Sequence, residues 1–419
     1  MSWTERLPAV GERRVAVRVT PDALRRIRGG HPWVYDRSIE SARPDGSPGD
    51  LAVVFDRNRR FAAIGLWDPT SPIRLRILAV GDPVAIDAAW FAGRIADVAR
   101  LRSGLLGGAP PGAVDRQGWR VVNGENDGLP GLVIDQYADT AVVKLYTSAW
   151  WPHLPSVVDG VVAATDASRV VLRLARNIER RPIDDGATLH GDPPTESVRF
   201  VENGLGFEAD VITGQKTGHF LDQRHNRRRV RDLADGRRVL DVFSATGGFA
   251  VHAAAGGASS VLAVDRSEPT LAVAERNRRL NLHVAEVAAC EMTSRAGDAF
   301  EVLDSLRSDR RTFDLVVVDP PSFTRRAADL AGALRAYGRL TSLALDVLEP
   351  GGVLVQASCS ARVDVDDFHR TVGDAAASAG WRLDEFDRTA HDVDHPVSFP
   401  EGAYLKAGYW RATRLSGRR

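Results

Sequence analysis

Cysteine is nearly absent: Cys290 and Cys359 are the only two in 419 residues. Two are too few for a disulfide framework, and the N-terminus lacks the apolar run of a secretory signal, so a reducing, cytoplasmic setting is expected. No stretch reaches the about 18 apolar residues of a membrane span, which argues against a membrane partner. An excess of one charge is missing as well, since 55 basic residues balance 55 acidic ones. A nucleic-acid partner would therefore need a local basic face, not an overall positive charge. Lysine occurs only as Lys144, Lys216 and Lys406, and arginine carries the rest of the positive charge. No internal repeat is seen and no metal is expected. What is present, 44% hydrophobic residues, suits two to three domains with sizeable cores.

Boundaries follow composition and hydrophobic period. Residues 1–82 alternate short apolar runs (Val15–Val19, Leu51–Phe55, Phe61–Leu66, Ile73–Val80) with turn clusters such as Arg43-Pro44-Asp45-Gly46, which reads as a small, mostly β barrel. Trp90 to Leu106 has helical periodicity, and the glycines and prolines of Gly107 to Gly112 break it. Arg120 to Tyr146 reads as two or three strands with a turn at Asn126-Asp127-Gly128. Asp184 to Ser197 is polar and rich in glycine and proline, which sets a seam near residue 200. The expected parts are 1–82, a central helix and β-hairpin subdomain at 83–200, and an α/β domain at 201–419.

The α/β part carries the chemistry. VLDVFSATGGFA begins at Val239, VLAVDRS runs from Val261 to Ser267, AGDAFEVL from Ala296 to Leu303, and DLVVVDPPSF from Asp314 to Phe323. Apolar β-branched runs that close on an acid or a glycine are how buried parallel strands hand over to loops. The wider G-x-G-x-x-G spacing of a dinucleotide site is missing, and the ensemble resembles class I S-adenosylmethionine methyltransferases instead. In that reading Gly247 and Gly248 let the backbone approach the methionine end of the cofactor. Asp241, Phe243, Ser244 and Thr246 share that turn, Asp265 faces the ribose, and Asp298 accepts from the adenine amine. Each of these acids has a plainer reading as a turn or cap residue.

Asp319-Pro320-Pro321-Ser322-Phe323 is the second signal. Two prolines remove two backbone donors, stop the strand Leu315–Val318 and stiffen the loop after it. Such a loop holds a planar base or amide, and a strand terminator is the plainer reading. GGVLVQASCS, Gly351 to Ser360, is another buried strand that delivers Cys359 to the same edge. A thiolate is the nucleophile that carbon methylation of a pyrimidine needs, because cytosine C5 is unreactive until a group adds to C6. Cys290 reads as a small core residue.

HPWVYDRSI from His31, NGENDGLPGLVIDQY from Asn123, GQKTGHFLDQRHNR from Gly214, DVFSATGGFAVHAAAGGA from Asp241, DPPSF and SCS together resemble the RlmI-type family of bacterial 23S ribosomal RNA cytosine-C5 methyltransferases. The resemblance runs from about residue 13 to the end. It implies an RNA-binding PUA domain at 1–82, a central subdomain, and a Rossmann-like methyltransferase domain that uses S-adenosyl-L-methionine. It also implies ribosomal RNA as partner, 5-methylcytidine as product and a homodimer. Ser322 stands where two-cysteine relatives carry a second thiol to release product. The resemblance places Lys216, Phe220, Gln223 and Arg224 along the cofactor pocket, with Phe220 against the adenine or methionine chain and Arg224 near the carboxylate; a solvated helix face is the alternative for this segment. Asp319 touches both cofactor and base, and Cys359 is the nucleophile. Pro320, Pro321, Phe323, Arg227 and Arg228 are expected on the RNA side. Further basic clusters are Arg25, Arg26 and Arg28, then Arg173, Arg176, Arg180 and Arg181, and Arg229 with Arg231. Two rival readings stay open: an N-methyltransferase with Cys359 idle, and a silent RNA-binding protein.

Overall fold

The computed structural model describes residues 2–105, 117–165, 167–179, 181–324 and 329–415. The expected linker at Gly107 to Gly112, and Arg180, lie outside these. Contacts divide the chain into two units. One holds Met1–Val201, Ala209–Leu221 and Val393–Pro400, and the other Glu202–Glu208, Asp222–Asp392 and Glu401–Arg419.

In the first unit, β1 (Val15–Val19), β2 (Trp33–Tyr35), β3 (Ile39–Arg43), β4 (Leu51–Phe55), β5 (Phe61–Trp67) and β6 (Ile73–Val80) form one sheet in the order β2-β6-β5-β4-β1-β3. β1 buries Val15, Val17 and Val19 and exposes Ala16 and Arg18, the alternation of a sheet with one face on a core. A second sheet has the order β11-β10-β9-β8-β7, from β7 (Gly118–Asn123), β8 (Leu132–Tyr137), β9 (Thr140–Leu145), β10 (Arg169–Leu174) and β11 (Thr188–His190). Leu51, Ile64 and Leu66 of the first sheet share one apolar cluster with Ile134 and Leu172 of the second and Ile95 of helix Ala88–Leu105.

The turn at Asn126-Asp127-Gly128 is present but not tight. A 3-10 turn, Gly124–Asp127, ends on Gly128 at φ 75°. Asp127 is buried there, accepting from Arg102 at 2.6 Å and from the Asn123 amide at 2.6 Å. The two-residue hairpin turn is Ala138-Asp139, between the paired Tyr137 and Thr140.

β12 (Val198–Glu202) and β13 (Leu205–Ala209) make a two-stranded ribbon. The second unit is then built on β14 (Arg238–Val242), β15 (Ser260–Asp265), β16 (Glu291–Ala296), β17 (Phe313–Val318), β18 (Leu348–Ser358), β19 (Trp381–Thr389) and β20 (Lys406–Arg414), ordered β16-β15-β14-β17-β18-β20-β19. The first five are parallel, and β20 and β19 join antiparallel. Leu240, Val242, Val264, Val316, Val318 and Leu354 meet helix residues Leu303, Tyr337, Leu340 and Phe368 in the core. Val242, Val264, Val318 and Gln356 sit at matching register, so four strands end together. The order turns in opposite directions on the two sides of β14, and the carboxyl edge at such a point is where open α/β sheets bind ligands.

Candidate active site

The first loop after β14 is an unusual piece of backbone. Phe243, Ala245 and Gly247 all adopt positive φ, at 66°, 49° and 78°, and each such non-glycine residue costs on the order of 1–3 kcal/mol. Neighbours hold the shape: Ser244 N donates to Val264 O at 2.9 Å, Gly247 N to Ser244 O at 2.9 Å, and Asn277 Nδ2 to Thr246 O at 2.9 Å. A Cβ on Gly247 would come within 2.7 Å of the Ala274 Cβ, and one on Gly248 within 2.8 Å of the Arg227 Cδ. Room for a ligand is thus not what forbids a side chain at either glycine; the collisions are with Ala274 and Arg227.

Asp241 is fully buried and accepts from the Ala250 amide at 3.0 Å. Burial pushes its carboxyl up to about 7, with nearby Ser244 opposing the rise and Asp319 and Asp265 adding to it. Ser244 is near but not in hydrogen-bond geometry: Asp241 Oδ1 and Ser244 Oγ are both buried without a partner. Such pairs cost stability unless something satisfies them. Asp265 is committed through both oxygens, to Ala245 N at 3.0 Å and Ser267 N at 2.9 Å, so it shapes the first loop as well as ending β15. Asp298 caps helix Ala299–Ser308, accepting from Phe300 N at 3.0 Å through Oδ1. Here the capping reading is realised, with Oδ2 left over.

The proline loop and the Cys359 turn are latched together. Pro320 is buried, and the Cys359 Sγ lies 3.8 Å from its carbonyl oxygen. Thr324 and Ser360 hydroxyls pair, Phe323 packs edge-on against Tyr337 at 5.1 Å, and Tyr337 Oη meets Ser358 Oγ at 2.8 Å. Pro321 and Ser322 are exposed, and Asp319 and Cys359 are half-buried. Sequence reasoning missed Tyr337 and Lys406 here. The signal available for Lys406 was a lone lysine inside an apolar strand.

The arginines need correction. Arg227 is 3% exposed and gives Nε and Nη2 to Glu202 at 2.6 Å each, so it is not available to RNA. Arg224 is buried, with Nε on Asp392 at 2.8 Å, a protein carboxylate where a ligand's was expected. Gln223 is buried and accepts from Asn226 at 2.5 Å. Arg173 is also buried, held by Asp185, Val211 O and Gly214 O. Arg229 pairs with Asp387 at 2.5 Å, while Arg228 is exposed. Lys216 and Phe220 belong to the first unit, where the Lys216 ammonium lies 4.5 Å from the Phe220 ring centre. Their segment is anchored by Thr217, which donates to Asp135 at 2.6 Å and meets Tyr137 Oη at 2.9 Å.

Residues 158–401 match the model of the S-adenosylmethionine-dependent methyltransferase family, and residues 17–79 that of a PUA-like domain. The chain belongs to the S-adenosylmethionine-dependent methyltransferases. Within them it falls in the family of the ribosomal RNA large subunit methyltransferases I. A ribosomal RNA large subunit methyltransferase from Deinococcus radiodurans is 48% identical over 404 residues, covering 96% of this chain and 98% of the relative. A ribosomal RNA large subunit methyltransferase I from Erwinia tasmaniensis is 34% identical, over 90% of this chain and 94% of its own. The fold is shared with a solved putative methyltransferase complexed with SAH, at TM-score 0.80, 20% identity and coverage of 94% and 99%.

S-adenosylmethionine is the family's cofactor, and the residues fit it. Asp241, Asp265, Asp298 and Asp319 lie in or just after four adjacent strands, an acidic edge that suits a cationic sulfonium and ammonium and would repel a pyrophosphate. The unsatisfied Asp241 Oδ1 and Ser244 Oγ await polar partners. No helix among the described residues is long and apolar enough to cross a membrane.

Proposed function

We propose that this enzyme methylates C5 of a cytidine in large-subunit ribosomal RNA, in the cytoplasm, through a covalent bond from Cys359. The observation that carries this reading is the Cys359 thiol, 3.8 Å from the carbonyl of Pro320. A nucleophile is latched to a stiff loop suited to a planar base, beside the first strand loop of a methyltransferase. The relatives' names support ribosomal RNA as substrate. A depression of about 410 Å³ lined by Arg18, Arg25, Arg28 and Arg57, together with Glu40 and Asp56, supports the PUA-like part as an RNA face.

When bound, the cofactor supplies an electrophilic methyl group on a sulfonium. Asp265 would hold the ribose hydroxyls, Asp298 the adenine amine, and the loop from Phe243 to Thr246 the methionine end. The cytidine is turned out of its stack, as chemistry on a base requires. Cys359 adds to C6 as the thiolate, forming a C–S bond and making C5 nucleophilic. Asp319, held by Pro320 and Pro321, hydrogen-bonds the N3/N4 edge by accepting from the N4 amine, which orients the base, with Phe323 and Pro321 against its ring. C5 would then accept the methyl group that the bound cofactor supplies, the cofactor leaving as a neutral thioether. A base removes the C5 proton, the C–S pair returns to Cys359, and the aromatic ring is restored.

The rival is methylation of an exocyclic amine, with Asp319 as its acceptor and Cys359 idle. Digesting RNA methylated by the enzyme to nucleosides, and identifying the product by mass and retention time, decides between them. 5-Methylcytidine supports the proposal and an N-methylated base overturns it.

A further inference from the structure

Lys406 begins β20, where it pairs in register with Ser358, the last residue of β18 before Cys359. It is 1% exposed, and its ammonium donates to the carbonyls of Ser360 and Val363, both at 2.5 Å. Those two carbonyls bracket the turn that leaves Cys359. Burying an ammonium is costly unless something offsets it, and among the described residues no carboxylate forms an ion pair with Lys406. Three lysines exist in the chain, and this one is spent under a cysteine.

From this juxtaposition we infer that Lys406 is a positioning residue for the reaction, the cation that clamps the Ser360–Val363 turn and stabilises Cys359 as its thiolate. The inference rests on the proposed nucleophilic role of Cys359. Burial lowers the Lys406 ammonium to about 8, while Cys359 and Asp364 hold it up, so it stays mainly charged at neutral pH. Among the described residues, the Asp364 and Asp319 carboxylates and the Tyr337 hydroxyl, kept neutral by burial, also act on this corner. The Asp319 carboxylate disfavours a thiolate and the Lys406 ammonium favours one. An opposite charge close by typically lowers a thiol by about 1–3 pKa units, from an ordinary value near about 8.5.

The test measures the thiol itself. In a Cys290→Ala background, alkylation of Cys359 by iodoacetamide is followed by mass across pH for the parent, Lys406→Gln, Lys406→Met and Lys406→Arg. Gln keeps donors for the two carbonyls without the charge, so a merely structural clamp would survive it. The expected result is a midpoint about one unit or more higher in Gln and Met, with alkylation at pH 7 about tenfold slower, and a parent-like profile in Arg. A Gln profile matching the parent overturns the inference. So does a parent midpoint at or above about 8.5, a readout that needs no variant to fold. Failure of the nucleophile reading appears separately, as turnover that survives Cys359→Ala.

Discussion

The Cys359 sulfur and the Pro320 carbonyl oxygen stand 3.8 Å apart, the S–H pointing into the loop proposed to hold the base. A thiol donating to a carbonyl is at rest, and ionising it frees the sulfur to turn toward a ring. Asp319 immediately precedes that proline, and Ser360, bonded to Thr324 across the gap, immediately follows that cysteine. The Thr324–Ser360 pair thus ties the proline loop to the turn that carries Cys359.

Asp265→Ala is expected to weaken S-adenosylmethionine binding by about 1.5–3 kcal/mol, the range for hydrogen bonds to charged groups. Its carboxylate also fixes Ala245, a residue at positive φ, so the first loop should loosen as well. Asp265→Asn separates the two effects, because it keeps an acceptor for Ala245. Calorimetry with folded protein reads both. Unchanged affinity in the Ala variant would remove Asp265 from the cofactor site.

Much of this edge is legible in the sequence, and the reasons are local. VLDV, VLAVD, DLVVVD and GVLVQAS are buried on both faces, so their composition alone marks β14, β15, β17 and β18. β16 is not marked: Glu291–Ala296 is an edge strand reading EMTSRA and mostly exposed, so AGDAFEVL supplies its end and the next helix instead. The arginines mislead for a different reason, since Arg227 and Arg228 are adjacent letters, and only packing shows one on Glu202 and the other in solvent. Lys406 is hidden by distance along the chain, because its partners lie 43 and 46 residues away. The PUA-like match ends at residue 79, close to the boundary that composition sets at 82, although Leu66 and Ile134 share one core across it.

Glu202→Gln tests the buried pair. It leaves the Arg227 guanidinium beside a neutral amide in a buried site, where His252, lowered to about 3 by burial and by Arg227, is itself held neutral. Breaking such a pair from one side costs about 3–5 kcal/mol. Urea unfolding should show that loss, whereas Arg228→Ala should stay within about 0.5 kcal/mol. Equal effects would mean that Arg227 is not buried as described.

Asp241 predicts a pH dependence of stability. Its carboxyl sits near 7 in the folded protein, raised chiefly by burial, and near about 3.9 when unfolded. Between those values the native state binds the extra proton, so stability falls as pH rises from about 4 to about 7. Asp241→Asn removes the titration and keeps an oxygen for Ala250. Without cofactor, the wild type should therefore lose on the order of 2–3 kcal/mol more than the variant between pH 5 and pH 8. Parallel profiles from urea unfolding would show that Asp241 ionises normally.

The nucleophile admits the sharpest test. In a substrate whose target cytidine carries C5–F, attack by Cys359 and methyl transfer can proceed, but no C5 proton remains to leave, so the C–S bond cannot break by elimination. A covalent RNA–protein adduct should accumulate on denaturing gels. The methylated form should require S-adenosylmethionine, and peptide mapping should place it on Cys359 and not on Cys290, whose buried thiol is pushed up to about 11. Cys359→Ala should give neither adduct nor turnover, with a rate loss of several orders of magnitude while calorimetry still shows cofactor binding. Ser322→Cys is the companion variant: a second thiol in the exposed part of the proline loop would speed release if departure from the enzyme limits turnover. If Cys359→Ala still methylates RNA at near the wild-type rate, the thiol is a packing residue. The Asp319 loop is then holding an exocyclic amine.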